Sequence, residues 1–269
     1  MTPRLARGAR VALLALVACA GASLLPACKR HKPPSARRLW LGESGGCVEL
    51  ADARLACWGA NDRSPAGVGR VATVQSFAEG TPTSLALGRG HACGVFDRRQ
   101  AFCWGDGARG QLGPSNMRES KTPIPVGEAG QGDLEVAVGG EHTCLRTGSR
   151  LSCFGSDAEG QRGAWSEHGD VRAFALGDAH TCVAHGTSPG VPLEEVVCRG
   201  RAPAAPPAPI LGAVPVKALA AGGDHTCALL EDRTVRCWGR NDAGQLGDGT
   251  IRDATTPVAV VELKNVVQM

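Results

Sequence analysis

The chain has no tyrosine, and only five phenylalanines and five tryptophans among its 269 residues. Aromatic anchors of the kind that dominate protein interfaces are therefore few. Twelve cysteines occur without a single Cys-x-x-Cys motif, which leaves dithiol redox chemistry without its usual framework. No phosphate loop is present, and the carboxylates are scattered over turns with no convergent pair. Phosphoryl transfer and two-carboxylate hydrolysis thus lack their machinery. Acidic residues are missing altogether before Glu43, and charge of either sign is missing from Val11 to Ala27.

Those last two gaps bear on the compartment. Arg4, Arg7 and Arg10 precede the 17-residue apolar run, which Gly21 and Pro26 interrupt. That length sits at the short edge of a membrane span. A basic start followed by an apolar stretch reads as an export signal over residues 1–28, to be set aside from the fold. Its cysteines make it similar to a lipoprotein signal. Leu16-Val17-Ala18-Cys19 matches the lipobox better but has only eight apolar residues before it. Leu25-Pro26-Ala27-Cys28 contains an unfavourable proline yet follows a fuller apolar stretch. Cys28 is the favoured lipidation site, with Cys19 the alternative and an ordinary cleaved signal the third reading.

Residues 29–38, with Lys29, Arg30, Lys32, Arg37 and Arg38, read as a basic tether. Beside a lipid anchor it suits anionic headgroups, at about 1 kcal/mol per charge near the surface. From Leu39 onward the body holds 21 basic and 26 acidic residues, which argues against a nucleic-acid-binding surface. The expected location is the cell envelope, as a membrane-anchored lipoprotein, or secretion.

Export implies an oxidising compartment, where cysteines persist as disulfides. The ten cysteines beyond the signal fall into five local pairs: Cys47/Cys57, Cys93/Cys103, Cys144/Cys153, Cys182/Cys198 and Cys227/Cys237. First members recur 46, 51, 38 and 45 residues apart, a period of propellers and solenoids. In the clearest copy His225, Cys227 and Leu229 share one strand face by period two, and Glu231-Asp232-Arg233-Thr234 supplies a polar turn. Val235-Arg236-Cys237-Trp238 then returns antiparallel. Cys227 and Cys237 are equidistant from Asp232, so a simple hairpin sets them opposite one another. Opposed residues lie about 4.5 to 5.5 Å apart, within reach of a disulfide.

A Trp-Gly or its relic follows each hairpin: Trp58-Gly59, Trp104-Gly105, Phe154-Gly155, Arg199-Gly200 and Trp238-Gly239. Gly110-Gln111-Leu112-Gly113, Gly160-Gln161-Arg162-Gly163 and Gly244-Gln245-Leu246-Gly247 come next, and then the proline-led segments Pro123–Val126 and Pro257–Val260. These units resemble the repeats of the regulator of chromosome condensation family, over essentially all of residues 39–269. The resemblance implies an all-β fold, a β-propeller of about five disulfide-stapled repeats, where family members usually have seven blades. The third unit is too short from Gly163 to Val171 for a full outer strand. The fourth carries a long hairpin loop, Val183 to Val197, and an Ala/Pro stretch from Ala202 to Pro209. Asn265–Met269 resembles the opening strand of a sixth unit, and a small closed or nearly closed ring is expected.

Several sharper readings meet simpler ones. His91, His142, His180 and His225 stand two residues before a cysteine, on one strand face, which suggests zinc. Each cysteine already has a partner, however, and blade packing would separate the motifs. The resemblance makes the histidine a turn-stabilising residue. Gly42-Glu43-Ser44-Gly45-Gly46 matches the hydrolase pattern G-x-S-x-G, which needs a strand-to-helix turn. Gly42 instead aligns with Gly88, Gly139, Gly177 and Gly222, five residues before each first cysteine. Trp58, Trp104 and Trp238 hold one repeat position and read as core. Trp40 and Trp165 fall outside it and are candidate exposed recognition residues.

No catalytic residue, cofactor site or metal site emerges. The expected function is a non-catalytic scaffold of the bacterial envelope that binds a protein partner through rim loops. The alternative is guanine-nucleotide exchange on a small GTPase, the family's best-known activity.

Overall fold

The computed structural model describes residues 35–42, 45–59, 73–75, 80, 82–113, 117–128, 133–163, 165, 170–186, 195–201 and 214–269. The export signal, Cys19, Cys28, most of the tether, Glu43, Ser44 and the Ala202–Pro209 stretch lie outside them. All the described residues belong to one compact unit, Pro34–Met269.

Among the described residues eighteen strands form five antiparallel sheets in strict sequence order. The first sheet is β1 (Ala36–Leu41), β2 (Gly45–Leu50), β3 (Leu55–Gly59) and β4 (Thr73–Gln75). The second is β5 (Pro82–Leu87), β6 (His91–Phe96), β7 (Gln100–Asp106) and β8 (Glu119–Glu128). Two three-stranded sheets follow: β9 (Leu134–Val138), β10 (His142–Thr147) and β11 (Arg150–Gly155), then β12 (Val171–Leu176), β13 (His180–His185) and β14 (Glu195–Gly200). The fifth is β15 (Val216–Ala221), β16 (His225–Leu230), β17 (Val235–Gly239) and β18 (Ala254–Ala259). These are the five repeat units as blades, and the third lacks an outer strand among the described residues, as its short connection implies.

Successive blades pack face to face, so an interior blade is covered on both sides. The second strands therefore lose the in/out alternation of a surface sheet: all six residues of β6 and of β13 are buried. Between the first two blades Cys47, Leu55 and Cys57 meet Phe96, Phe102 and Trp104. Between the second and third, Cys93 and Cys103 meet Phe154, and between the fourth and fifth Cys182 meets Trp238. One blade's cystine thus packs on the next blade's Trp-Gly aromatic. That explains why Phe154 can replace tryptophan.

Several boundaries correct the sequence reading. β1 opens at Ala36, so Arg37 and Arg38 belong to a strand and not to the tether. Arg38 bonds the buried Glu49 carboxylate at 2.6 Å and stacks 5.2 Å from the Trp40 ring. Trp40 is half-buried against the first core cluster. Trp165 is 2% exposed. It packs with Cys144, where the fourth blade offers Arg199 instead of an aromatic residue, and Arg199 lies over its ring. Neither tryptophan is an exposed recognition residue.

Ladder pairing runs through Val183↔Val197 to His185↔Glu195, and the fourth hairpin loop is confined to 186–194. The buried Val183 is a core residue. The segment 265–269 joins no sheet; Val266 N–H donates to the Arg233 carbonyl, and Val266 packs on the fifth blade. Closure of the expected small closed or nearly closed ring is not seen between these strands. Among the described residues no strand of the fifth blade packs extensively on the first. Leu39 and Leu41 are 59% and 70% exposed, whereas Leu85, the second-blade counterpart of Leu39, is 8% exposed against the first blade.

Candidate functional site

The chemistry-bearing residues gather where the inner strands β5, β9, β12 and β15 end. Each runs into a glycine turn before the second strand of its blade. Gly88, Gly139, Gly177 and Gly222 donate their N–H to the carbonyls of His91, His142, His180 and His225 at 2.8–3.0 Å. Gly42 makes the same bond to Gly45 at 2.8 Å, which makes the G-x-S-x-G match a strand-turn-strand link and not a nucleophile elbow. These glycines are required by contact. A Cβ on Gly177 would lie 2.6 Å from the Gly222 carbonyl oxygen, and closer still to the His180 ring. The glycine of Trp-Gly is needed for its backbone conformation: Gly105, Gly155, Gly200 and Gly239 all have φ between 104° and 115°. This explains why Arg199-Gly200 lost its tryptophan and kept its glycine.

The histidines do more than hold turns. Nε2 of His91, His142 and His180 lies 2.8–2.9 Å from the hydroxyl of Thr143, Thr181 and Thr226, always one blade further on. Thr143 donates its hydroxyl proton to the Gln111 carbonyl, so His91 Nε2–H must be the donor to Thr143. Nδ1 of each ring is buried and without a partner, an acceptor that a neutral ring can leave empty. Burial holds all three rings down to a pKa of about 4, and neighbouring histidines depress His91 and His142 further. Half-buried His225 is lowered by the same cause. The pairing is self-consistent at the start of the chain. The first blade has Gly45 in place of histidine, and the second has Ala92 in place of threonine.

Each first cysteine faces its partner across the hairpin, with S–S distances of 1.95–2.13 Å and Cα atoms 4.0–4.1 Å apart. Those Cα atoms are closer than the range for opposed residues, on the side of a non-hydrogen-bonded pair. The register is the same in every blade, including the fourth with its longer loop.

Around the turns lies a rim of charge. Arg89 bonds Asp178 at 2.6 Å, joining the second blade to the fourth. Arg201 and Arg240 both approach Asp224 at 3.6 Å, and Arg109 approaches Glu141 at 3.7 Å. Inside the rim a cavity of about 390 Å³ opens at the channel mouth, walled by Leu87, Val138, Leu176 and Ala221. Among the described residues no three His, Cys, Asp or Glu side chains cluster as a metal would require.

Blades joined in sequence order share the glycine turn, four of the five carry the histidine and three the Trp-Gly, and family models match parts of this pattern. Regulator of chromosome condensation (RCC1) repeat models match residues 100–146, 216–245 and 234–269. The chain is an RCC1-type repeat propeller. Human Protein RCC2 is 26% identical over 227 residues, 80% of this chain and 42% of that protein. The propeller thus spans under half of that relative's length. Human WBSCR16 superposes with a TM-score of 0.71 at 18% identity, covering 84% of this chain and 67% of that one. Yeast Prp20p, a structure described with its binding to Gsp1p and histones, gives 0.63 at 17% identity over 81% and 61% of the two chains.

Sequence reasoning missed the threonines, Arg89 and Asp178. A signal for the first existed: threonine follows histidine in the third, fourth and fifth copies, each preceded by a copy that has the histidine. Nothing in the sequence pairs Arg89 with Asp178.

Proposed function

We propose that this propeller is a non-catalytic recognition scaffold of the bacterial cell envelope, exported and held by lipid at Cys28, or at Cys19, and binding a protein partner through its rim loops. One observation carries the reading: hairpin loops vary while the blade beneath them does not. The third blade turns in two residues, Gly148 and Ser149, and the fourth in nine, 186–194, yet Cys144↔Cys153 and Cys182↔Cys198 keep the same register. A cystine at a fixed place in each hairpin isolates loop change from blade packing, the property of a surface that diversifies for binding. The acidic body and oxidised cysteines fit an exported protein with no nucleic-acid role. Among the described residues no helix is long and apolar enough to cross a membrane.

The test replaces 186–194 with a two-residue turn between His185 and Glu195. Disulfides and thermal unfolding should be unchanged, while retention of the partner captured from envelope extracts should fall at least tenfold. Unfolding of the variant would make the loop structural, and unchanged capture would move the surface elsewhere. A second reading, guanine-nucleotide exchange on a small GTPase, draws on the family resemblance. The likeness to Prp20p, at 17% identity, carries the fold alone, and the export signal, paired cysteines and acidic body weigh against the exchange reading.

A further inference from the structure

The channel mouth holds an ion pair with an unequal division of rigidity. Asp178 is fixed by its backbone: its N–H donates to the Gly223 carbonyl at 2.9 Å, and its own carbonyl accepts from Gly140 N–H at 3.1 Å. Those bonds tie it to the turns on either side. Arg89, by contrast, is a long side chain, 54% exposed, reaching from the second blade past the Gly139–Gly140 turn to the Asp178 carboxylate at 2.6 Å. The carboxylate is 27% exposed. Gly139 and Gly140 leave the space above the third blade without side chains, and a Cβ at Gly140 would meet the Asp178 carbonyl at 2.7 Å. The cavity lining is mixed, with Leu87, Val138, Leu176 and Ala221 supplying aliphatic side chains among the glycine turns, and the volume of about 390 Å³ is that of a small ligand site.

A carboxylate carried on a backbone tied to both neighbouring turns, beside the aliphatic side chains of Leu87, Val138 and Leu176, suits a side chain with an apolar stem and a cationic head. Arg89 already reaches that carboxylate from within the chain, and an ion pair this exposed is weakly held. We infer that the channel mouth is a binding site for a lysine or arginine side chain of the protein partner. The stem lies against Leu87, Val138 and Leu176, and the head takes the Asp178 carboxylate from Arg89. The inference rests on the scaffold reading for its partner, and the net negative body favours approach of a basic surface.

The test uses N-acetylarginine methylamide as the probe and backbone amide shifts as the readout, so that it does not depend on the partner or on the 186–194 loop. In Arg89→Ala the probe should shift the amides of Gly140, Gly177 and Gly223, with affinity at least fivefold above wild type. N-acetylglutamate methylamide should shift none of them. Asp178→Asn in the Arg89→Ala background keeps the backbone bonds and should lose tenfold or more in affinity. If that variant does not fold, the comparison of the two probes on Arg89→Ala still decides. Equal shifts from the anionic probe, no arginine-induced shifts at the mouth, equal affinity in wild type and Arg89→Ala, or indifference to Asp178→Asn would each overturn the site.

Discussion

Lowering the pH from 7 to 5 charges a free imidazole, whose ordinary pKa is about 6.5. It does not charge His91, His142 or His180, which burial holds at about 4. The unfolded chain then binds protons that the folded chain refuses. Stability is therefore full above about 6.5 and is lost as the pH falls toward about 4. At pH 5 an unfolded ring is almost fully charged and a folded one is about one-tenth charged, a loss of about 2 kcal/mol per histidine relative to pH 7. Three rings lose about 5.5 kcal/mol together, the whole stability of a marginal domain. The hydrogen bonds give the same sign. Nε2 of each ring already faces the next blade's threonine, and a second proton would place a buried donor on Nδ1 with no acceptor. The assay is urea unfolding with disulfides intact at several pH values between 7.5 and 5, alongside imidazole proton shifts. Between pH 5 and 6 each ring should give a slope of about 1.2 kcal/mol per pH unit. His180→Gln, which keeps a donor for Thr226, should remove about a third of the combined slope. A flat stability profile, or three rings that titrate near 6.5 in the folded protein, would refute the reasoning.

Peptide mapping without reduction should recover five cystines, each within one hairpin; a bridge between two blades would contradict the registry. Gly177→Ala should destabilise by about 2 to 4 kcal/mol, because the new Cβ strikes the His180 ring and the Gly222 carbonyl. Gly160→Ala, at φ 74° with nothing within 4 Å, should cost only about 1 kcal/mol of backbone strain; equal melting temperatures for the two would remove the steric explanation. Cys28→Ser should release the protein from membranes or leave it unprocessed while Cys19→Ser stays bound in fractionation; the opposite pattern moves the anchor to Cys19, and indifference to both means a plain secretory signal.

The blades were legible in the primary structure because what builds them is local. Cys227 and Cys237 sit symmetrically about Asp232, and period two puts them on facing positions of one hairpin, so their pairing needs no tertiary information. The same holds for the glycine turns and for the third unit's lack of an outer strand among the described residues. The irregular places were less accessible. The symmetry of a long connection does not say where the ladder stops, and hydrogen bonding alone carries it to His185↔Glu195. Trp165 lies outside the repeat position, and only the packed structure shows it filling the space that Arg199 leaves empty. The candidate site was the least legible. Its His–Thr bonds join residues 39 to 52 positions apart, and Arg89 and Asp178 are separated by 89. Such contacts depend on how far one blade rotates against the next, a quantity set by the fit of the cystines, Trp104, Phe154 and Trp238 between sheets. Local period and hairpin symmetry determined each blade; side-chain packing between blades decided what faces the channel.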